Sequence, residues 1–286
     1  MTTVKELGTY AQNTWCPGCG NFGILNSISK VLVDLKEEGL DLSKVVMASG
    51  IGCHAKIVDY VKVNSFYSIH GRVPPPITGI KLANPELVVI GHAGDGDAYG
   101  EGIEHLIFSA KRNINVTFIV HNNRVYGLTT GQFTPTSPSG FKGRSTPGGS
   151  PEDPLNPIEL MLSAGAGFVA RGFAGKQKHL QRLMKAGIKY QGFAFIDVLQ
   201  PCFTFYNTYD FYNQRVYELT DGEYDSSDRD AAFARAREWT YGEGERIPIG
   251  IFYQVERPTY DERLLKGRIP GKLKPGNIKS ILEKHI

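Results

Sequence analysis

Seven short runs of β-branched and aromatic residues punctuate this chain, and amphipathic stretches lie between several of them. The runs predict strands at Val45–Ala48, Phe66–Ile69, Leu87–Ile90, Val116–Val120, Phe168–Ala170, Phe193–Leu199 and Pro248–Tyr253. The stretch Phe22–Lys36 reads as a helix, with Ile24, Ile28, Val31 and Leu35 near one face. Further helical patterns cover Glu101–Arg112, Asn156–Gly165, Lys178–Tyr190 and Asp230–Tyr241. Apolar strands alternating with helices predict an α/β fold, an open and mostly parallel sheet with helices on both faces.

With 286 residues, 41% of them hydrophobic, the chain can bury a full core and is not disordered. We expect one domain over 1–254 and a basic tail over 255–286. A net charge of +3 is too small to make nucleic acid a default partner. No apolar run approaches the ~20 residues needed to span a bilayer, so no membrane association is expected. The first fifteen residues have no signal-like apolar stretch, and the expected location is cytoplasmic. Four cysteines in a reducing compartment suit metal or redox chemistry better than disulfides.

Two stretches interrupt the alternation. Residues 130–157 are rich in Gly, Pro, Ser and Thr, and a loop this long inside a regular α/β domain is more often functional than a linker. Residues 205–230 are aromatic and acidic and read as an irregular insertion. Residues 263–286 carry seven basic side chains against Glu283 alone. They read as a solvated tail, with an arm over an anionic ligand or partner chain as the alternative.

The run Leu87–Ile90 leads into Gly91-His92-Ala93-Gly94-Asp95-Gly96-Asp97. A glycine-rich turn between strand and helix binds phosphates, because the backbone can approach closely and the helix start attracts anions. A calcium loop beginning at Asp95 would place Leu106 where a bidentate Glu is required, so that reading fails. A dinucleotide fingerprint fits loosely, with no acid placed to bind a ribose. The remaining reading has Asp95 hold Mg²⁺ that bridges diphosphate oxygens. Asn123, at the end of the following strand, and a backbone carbonyl such as that of Val125 would complete the shell. The glycine–aspartate turn followed by Asn122-Asn123 resembles the motif that binds thiamine diphosphate and Mg²⁺.

The cysteines stand at Cys16 and Cys19 in WCPGCG, Cys53 in GIGC and Cys202 in QPC. One CxxC with two distant single cysteines suits a four-thiolate site assembled by the fold, for Zn²⁺ or an iron–sulfur cluster. Cys53, His70, Asp95, Asn123 and Cys202 each follow a predicted strand. They should gather at the carboxyl edge of the sheet, where open α/β sheets bind ligands.

Taken together, WCPGCG, SGIGC, His70-Gly71-Arg72, TGIKLANPELVVI, GDGD, NNRVYGLTTGQ and QPCFTF resemble the β subunit of archaeal-type 2-oxoacid:ferredoxin oxidoreductases, from about Trp15 to Tyr253. The resemblance implies a thiamine diphosphate-binding fold. It also implies CoA-dependent oxidative decarboxylation of pyruvate, 2-oxobutyrate or 2-oxoglutarate, with electrons passed to ferredoxin. Cys16, Cys19, Cys53 and Cys202 match the ligands of one [4Fe–4S] cluster, and Asp95, Asn123 and the Val125 carbonyl match those of Mg²⁺. Gly52, Cys53, His70, Gly94, Gly96 and Asp97 fall at the diphosphate or thiazolium end, and Gly127, Leu128 and Thr129 at the pocket edge. His70 is a candidate donor to the diphosphate. Lys56 reads either as a partner for the substrate carboxylate or a phosphate, or as an exposed helix lysine. The family takes an activating Glu from another chain, and no second cluster motif is present, so an α (or fused γα) subunit is implied. Val73–Pro76 (VPPP) and His54-Ala55 depart from the usual pattern, which bears on pocket shape. The competing readings are an indolepyruvate-type subunit and a non-catalytic Zn(Cys)₄ nucleotide-binding protein.

Overall fold

The computed structural model describes residues 3–220, 224–242, 246–274 and 276–284. The strands are β1 (Val45–Ser49), β2 (Asn64–Tyr67), β3 (Val88–Gly94), β4 (Val116–Asn122), β5 (Phe168–Phe173), β6 (Phe193–Leu199), β7 (Val216–Glu218) and β8 (Ile247–Gln254). They form one sheet in the order β2-β1-β3-β4-β6-β5-β8-β7. All pairings from β2 to β5 are parallel. β8 runs antiparallel to β5, so β8 and its parallel neighbour β7 reverse the edge. The mostly parallel sheet expected from the alternation is the one observed.

The α-helices are α1 (Asn21–Glu37), α2 (Ile57–Tyr60), α3 (Pro74–Ala83), α4 (Ile103–Arg112), α5 (Pro157–Ser163), α6 (Gln177–Lys189), α7 (Tyr209–Arg215), α8 (Arg229–Ala236), α9 (Tyr260–Leu265) and α10 (Ile278–Leu282). α1 and α6 pack on each other over one face, while α3, α4, α5 and α8 cover the other. The period-2 geometry of the strands divides the core between these faces. In β4, Ile119 points to the α1/α6 side, and Phe118 and Val120 point to the opposite side. Every residue of β4, β5 and β6 is buried, as expected of central strands covered twice. Each such Phe, Ile or Val contributes about 1.5–3 kcal/mol of burial.

Local signals set several element ends. α1 buries Ile24, Ile28, Val31 and Leu35, then stops at Gly39, whose φ of 103° requires glycine. Asn156 caps α5, with Pro157 in the first helical position. The sequence missed α3, whose start is masked by three prolines, and the α7–β7 pair inside residues 205–230. The helix expected over 230–241 ends at Ala236, and Trp239 and Tyr241 instead enter a separate aromatic cluster with Phe173 and Tyr212.

The segment after β8 crosses to the amino ends of the strands. The Asn113 side chain donates to the carbonyl of Arg257, and Asp261 accepts from the amide of Asn115. A Thr259–Glu262 capping box starts α9, which buries Leu265, and Lys272 pairs with Glu86 just before β3. The segment through Lys272 thus lies at the opposite sheet edge from the candidate ligand residues. Among the described residues no helix is long and apolar enough to cross a membrane.

Two core histidines make the fold acid-sensitive. Burial pushes His92 down to about 3 and His179 down to about 4, both below the ordinary value near 6.5. The unfolded chain then binds more protons than the folded one, so stability falls as pH drops through about 6.5 toward 4. Urea unfolding at about pH 5 should show roughly 2 kcal/mol less stability per histidine than at about pH 7. A midpoint that does not move over this range would contradict the burial argument.

Candidate active site

The carboxyl edge collects the residues singled out from the sequence. Cys53 opens a 3₁₀ turn (Cys53–Lys56) shortly after β1, and His70 follows β2. Asp95 directly follows β3, Asn123 follows β4, and Cys202 lies just beyond β6. A π-helical turn over Gly96–Glu101 separates Asp95 from α4, a deformation frequent at functional sites. A side chain at Gly50 would place its Cβ 1.8 Å from Asp97 Oδ2, so only glycine permits this approach.

A cavity of ≈ 80 Å³ is lined by Gly52, Cys53, His70, Gly94, Asp95, Gly96, Asp97, Asn123, Val125, Gly127, Leu128 and Thr129. His54, His121 and Tyr126 join them. Asp95 is buried, and burial pushes its carboxyl up to about 6 despite hydrogen bonds that oppose the shift. Those bonds come from the hydroxyls of Thr134 (2.5 Å) and Thr136 (3.0 Å) to Oδ2. Asn123 Oδ1 accepts from the Val125 amide at 3.0 Å and fixes the turn. Asp97 accepts from the Gly71 amide at 2.6 Å and stands 3.2–3.3 Å from His70 and His54. Gly96 lies against the Tyr126 ring, which a Cβ would meet at 2.2 Å.

Beside it is a cavity of ≈ 290 Å³ onto which Cys16, Cys19, Cys53 and Cys202 all open, together with Lys56 and Thr14. None of the four cysteines is in a disulfide. Burial, with the other three thiols nearby, pushes Cys19 up to about 11, and burial and Cys202 raise Cys53 as well. Trp15 donates its indole N–H to the Cys53 carbonyl at 2.6 Å, which anchors the CxxC segment to the second loop. Lys56 Nζ donates to Thr14 Oγ1 at 2.7 Å. Cys53, Asn123, Gly127 and Leu128 line both cavities and form the wall between them. A Cβ on Gly127 would stand 3.5 Å from Cys53 Sγ and 3.9 Å from Cys202 Sγ.

Sequence reasoning overlooked the supports of this site. Thr134, Thr136 and Ser137 come from the long loop after residue 130, whose function the composition signalled without naming residues. Asp197, and Asn122 beyond its place in the Asn122-Asn123 motif, are strand residues that bond each other at 3.1 Å, and Asn122 Oδ1 lies 2.9 Å from the Thr136 hydroxyl. A polar residue in an otherwise apolar strand was the available signal for both.

Residues 50–198 match the model described as thiamine pyrophosphate enzyme, C-terminal TPP binding domain. Residues 201–267 match the model for the C-terminal part of the pyruvate ferredoxin oxidoreductase beta subunit. A 2-oxoacid:ferredoxin oxidoreductase subunit beta from Sulfolobus sp is 44% identical, over 95% of this chain and 92% of the relative. The chain belongs to the β subunits of the 2-oxoacid:ferredoxin oxidoreductases. Subunit beta of the 2-oxoacid:ferredoxin oxidoreductase 1 of Aeropyrum pernix is 43% identical, over 91% of this chain and 84% of that one. The 2-oxoglutarate:ferredoxin oxidoreductase from Magnetococcus marinus, solved with 2-oxoglutarate, coenzyme A and succinyl-CoA bound, superposes with a TM-score of 0.90. It is 36% identical, and the match covers 99% of this chain and 96% of that one.

As a β subunit of this family, the chain is one part of a multi-subunit oxidoreductase. Its surface has a matching feature, for Ile51 and Leu128 at the rim of the first cavity are exposed although apolar, as is Ile69 next to His70. At ≈ 80 Å³ that cavity is below the roughly 300–1,000 Å³ usual for small-molecule and cofactor sites. Among the described residues no three His, Cys, Asp or Glu are arranged to hold a single metal ion. The carboxylate of Asp95 and the four thiols are donors of two different kinds. Mg²⁺ is commonly held by one or two carboxylates plus substrate phosphates, which asks only Asp95 of this class of ligand. Four thiols around a cavity match the ligand set of an iron–sulfur cluster.

Proposed function

We propose that this subunit holds Mg²⁺ and thiamine diphosphate against the first cavity and one [4Fe–4S] cluster in the second. With an α (or fused γα) subunit it would convert a 2-oxoacid and coenzyme A to acyl-CoA and CO₂, with electrons leaving to ferredoxin. The observation that carries this reading is the wall of Cys53, Asn123, Gly127 and Leu128, which puts a four-thiol cavity directly beside the Asp95 pocket. When bound, thiamine diphosphate supplies the carbanion and electron sink for decarboxylation, and the cluster supplies one-electron transfer.

The chain's own residues hold and orient. Asp95 presents a carboxylate held by Thr134 and Thr136, and the positive charge of Mg²⁺ favours its ionised form against burial. Asn123 and the Val125 carbonyl would complete the protein's share of the shell. His70, 27% exposed at its side chain and beside Asp97 and Glu101, would donate to a diphosphate oxygen. Gly52, Gly94 and Gly96 let backbone approach the cofactor, and Leu128 and Thr129 border its edge. Lys56 opens onto the thiol cavity, where it would pair with the substrate carboxylate or a phosphate. Unpaired thiols suit a cytoplasmic setting. We keep 1–254 as the cofactor-binding domain and 255–286 as its basic extension.

The test is anaerobic co-expression with the α subunit. The complex should be brown, give a reduced-state EPR signal and reduce ferredoxin on addition of a 2-oxoacid and coenzyme A, while the isolated chain should not turn over. Comparing pyruvate, 2-oxobutyrate, 2-oxoglutarate and indolepyruvate sets the substrate class. A colourless zinc protein, or full activity of the isolated chain, would overturn the reading.

A further inference from the structure

We infer that Arg124 is a positioning residue. Its buried guanidinium braces the loop carrying Asn123 and Val125 against an aromatic corner of the fold and thereby sets the affinity of the first cavity for Mg²⁺–thiamine diphosphate. The inference rests on the reading of that cavity given above.

Arg124 combines two costly features. Its side chain is 1% exposed, which strips water from a permanent charge. Its backbone φ is +60°, a left-handed conformation that an arginine adopts only when its surroundings enforce it. Among the described residues it makes no ion pair with a carboxylate. Its Nε donates to the Thr136 carbonyl at 2.7 Å, and Nη2 donates to the Tyr241 carbonyl. The guanidinium carbon lies 5.6 Å from the ring centres of Tyr206 and Trp239. Its own carbonyl accepts from Ser137 Oγ at 2.6 Å.

Both guanidinium contacts lead back to the cavity. Thr136 places its hydroxyl 3.0 Å from Asp95 Oδ2 and 2.9 Å from Asn122 Oδ1. Tyr241 donates its hydroxyl to Asp197, which accepts from Asn122 at 3.1 Å. Arg124, Tyr241, Asp197, Asn122 and Thr136 therefore form a closed circuit of polar contacts, every member buried, in which the single hydroxyl proton of Thr136 is shared between Asn122 Oδ1 and Asp95 Oδ2. Arg124 also stands between Asn123 and Val125, so its φ fixes how these two neighbours face the cavity.

Arg124→Gly separates the two roles, because glycine keeps a left-handed φ at no steric cost while the brace is lost. In the co-expressed complex, stripped of thiamine diphosphate but with its visible absorbance intact, the Kd for thiamine diphosphate with Mg²⁺ should rise by about tenfold or more, the scale of a lost charge-assisted contact. The KM for the 2-oxoacid at saturating cofactor should not change, and Arg124→Lys should recover part of the affinity. A wild-type Kd in the glycine variant, with only a lower melting temperature, would overturn the inference. If the glycine variant does not assemble, Arg124→Lys is read by the same two outcomes, weaker cofactor binding or a melting shift alone. A wild-type complex that bound no thiamine diphosphate would instead refute the reading of the cavity.

Discussion

In the D95N variant of the complex, turnover should fall by about 10³-fold while the visible absorbance of the proposed thiol-held cluster stays in place. The substitution conserves shape, and the Thr134 and Thr136 hydroxyls that now donate to Oδ2 can still meet an amide. What disappears is the charge. In the proposed site Asp95 is the carboxylate that would hold the metal, and a neutral amide cannot replace it toward Mg²⁺. The loss should appear first as failed binding of thiamine diphosphate in a titration with Mg²⁺, and then as lost turnover. Retention of wild-type cofactor affinity in D95N would remove Asp95 from the role assigned to it.

The second large effect belongs to Cys202→Ser. Ferredoxin reduction should fall by about 10³-fold or more, with loss of visible absorbance and of the reduced-state EPR signal, because a serine oxygen is a poor substitute for thiolate toward iron. Cys202 is the test position of choice, since it lies outside the wall shared with the cofactor cavity. Thiamine diphosphate binding should therefore persist in C202S, which distinguishes loss of electron transfer from loss of the fold. Unchanged absorbance and ferredoxin reduction would mean that Cys202 is only a packed thiol.

The parts of this molecule legible in its sequence were those governed by short-range rules. Apolar runs located the seven expected strands, and of the five polar residues picked just beyond them Cys53, His70, Asp95 and Asn123 line the first cavity while Cys202 opens onto the second, because a parallel sheet sends every strand's carboxyl end to the same edge. The spacing of Ile24, Ile28, Val31 and Leu35 gave the buried face of α1. What escaped depended on distant partners. Arg124 reads as an ordinary charged loop residue until Trp239 and Tyr241, more than a hundred positions later, fold over it. Thr134 and Thr136 sit in a stretch whose composition suggests only a loop, and their purpose appears once Asp95 lies beneath them. The helix expected through Tyr241 stopped early for the same reason: burying Trp239 and Tyr241 against Phe173 and Tyr212 outweighs extending a surface helix.

The strand order carries a consequence for the way the four thiols come together. β5 leaves the ribosome before β6, yet β6 lies between β4 and β5. During synthesis the sheet cannot simply grow outward, because two finished strands must wait for a third to be inserted between them. Cys202 follows that late strand, whereas Cys16, Cys19 and Cys53 emerge near the start. Three thiols thus exist as an open set for most of translation, and the fourth arrives only when the middle of the sheet is sealed. With these thiols as cluster ligands, the complete ligand set exists only once β6 and the turn after it have been made.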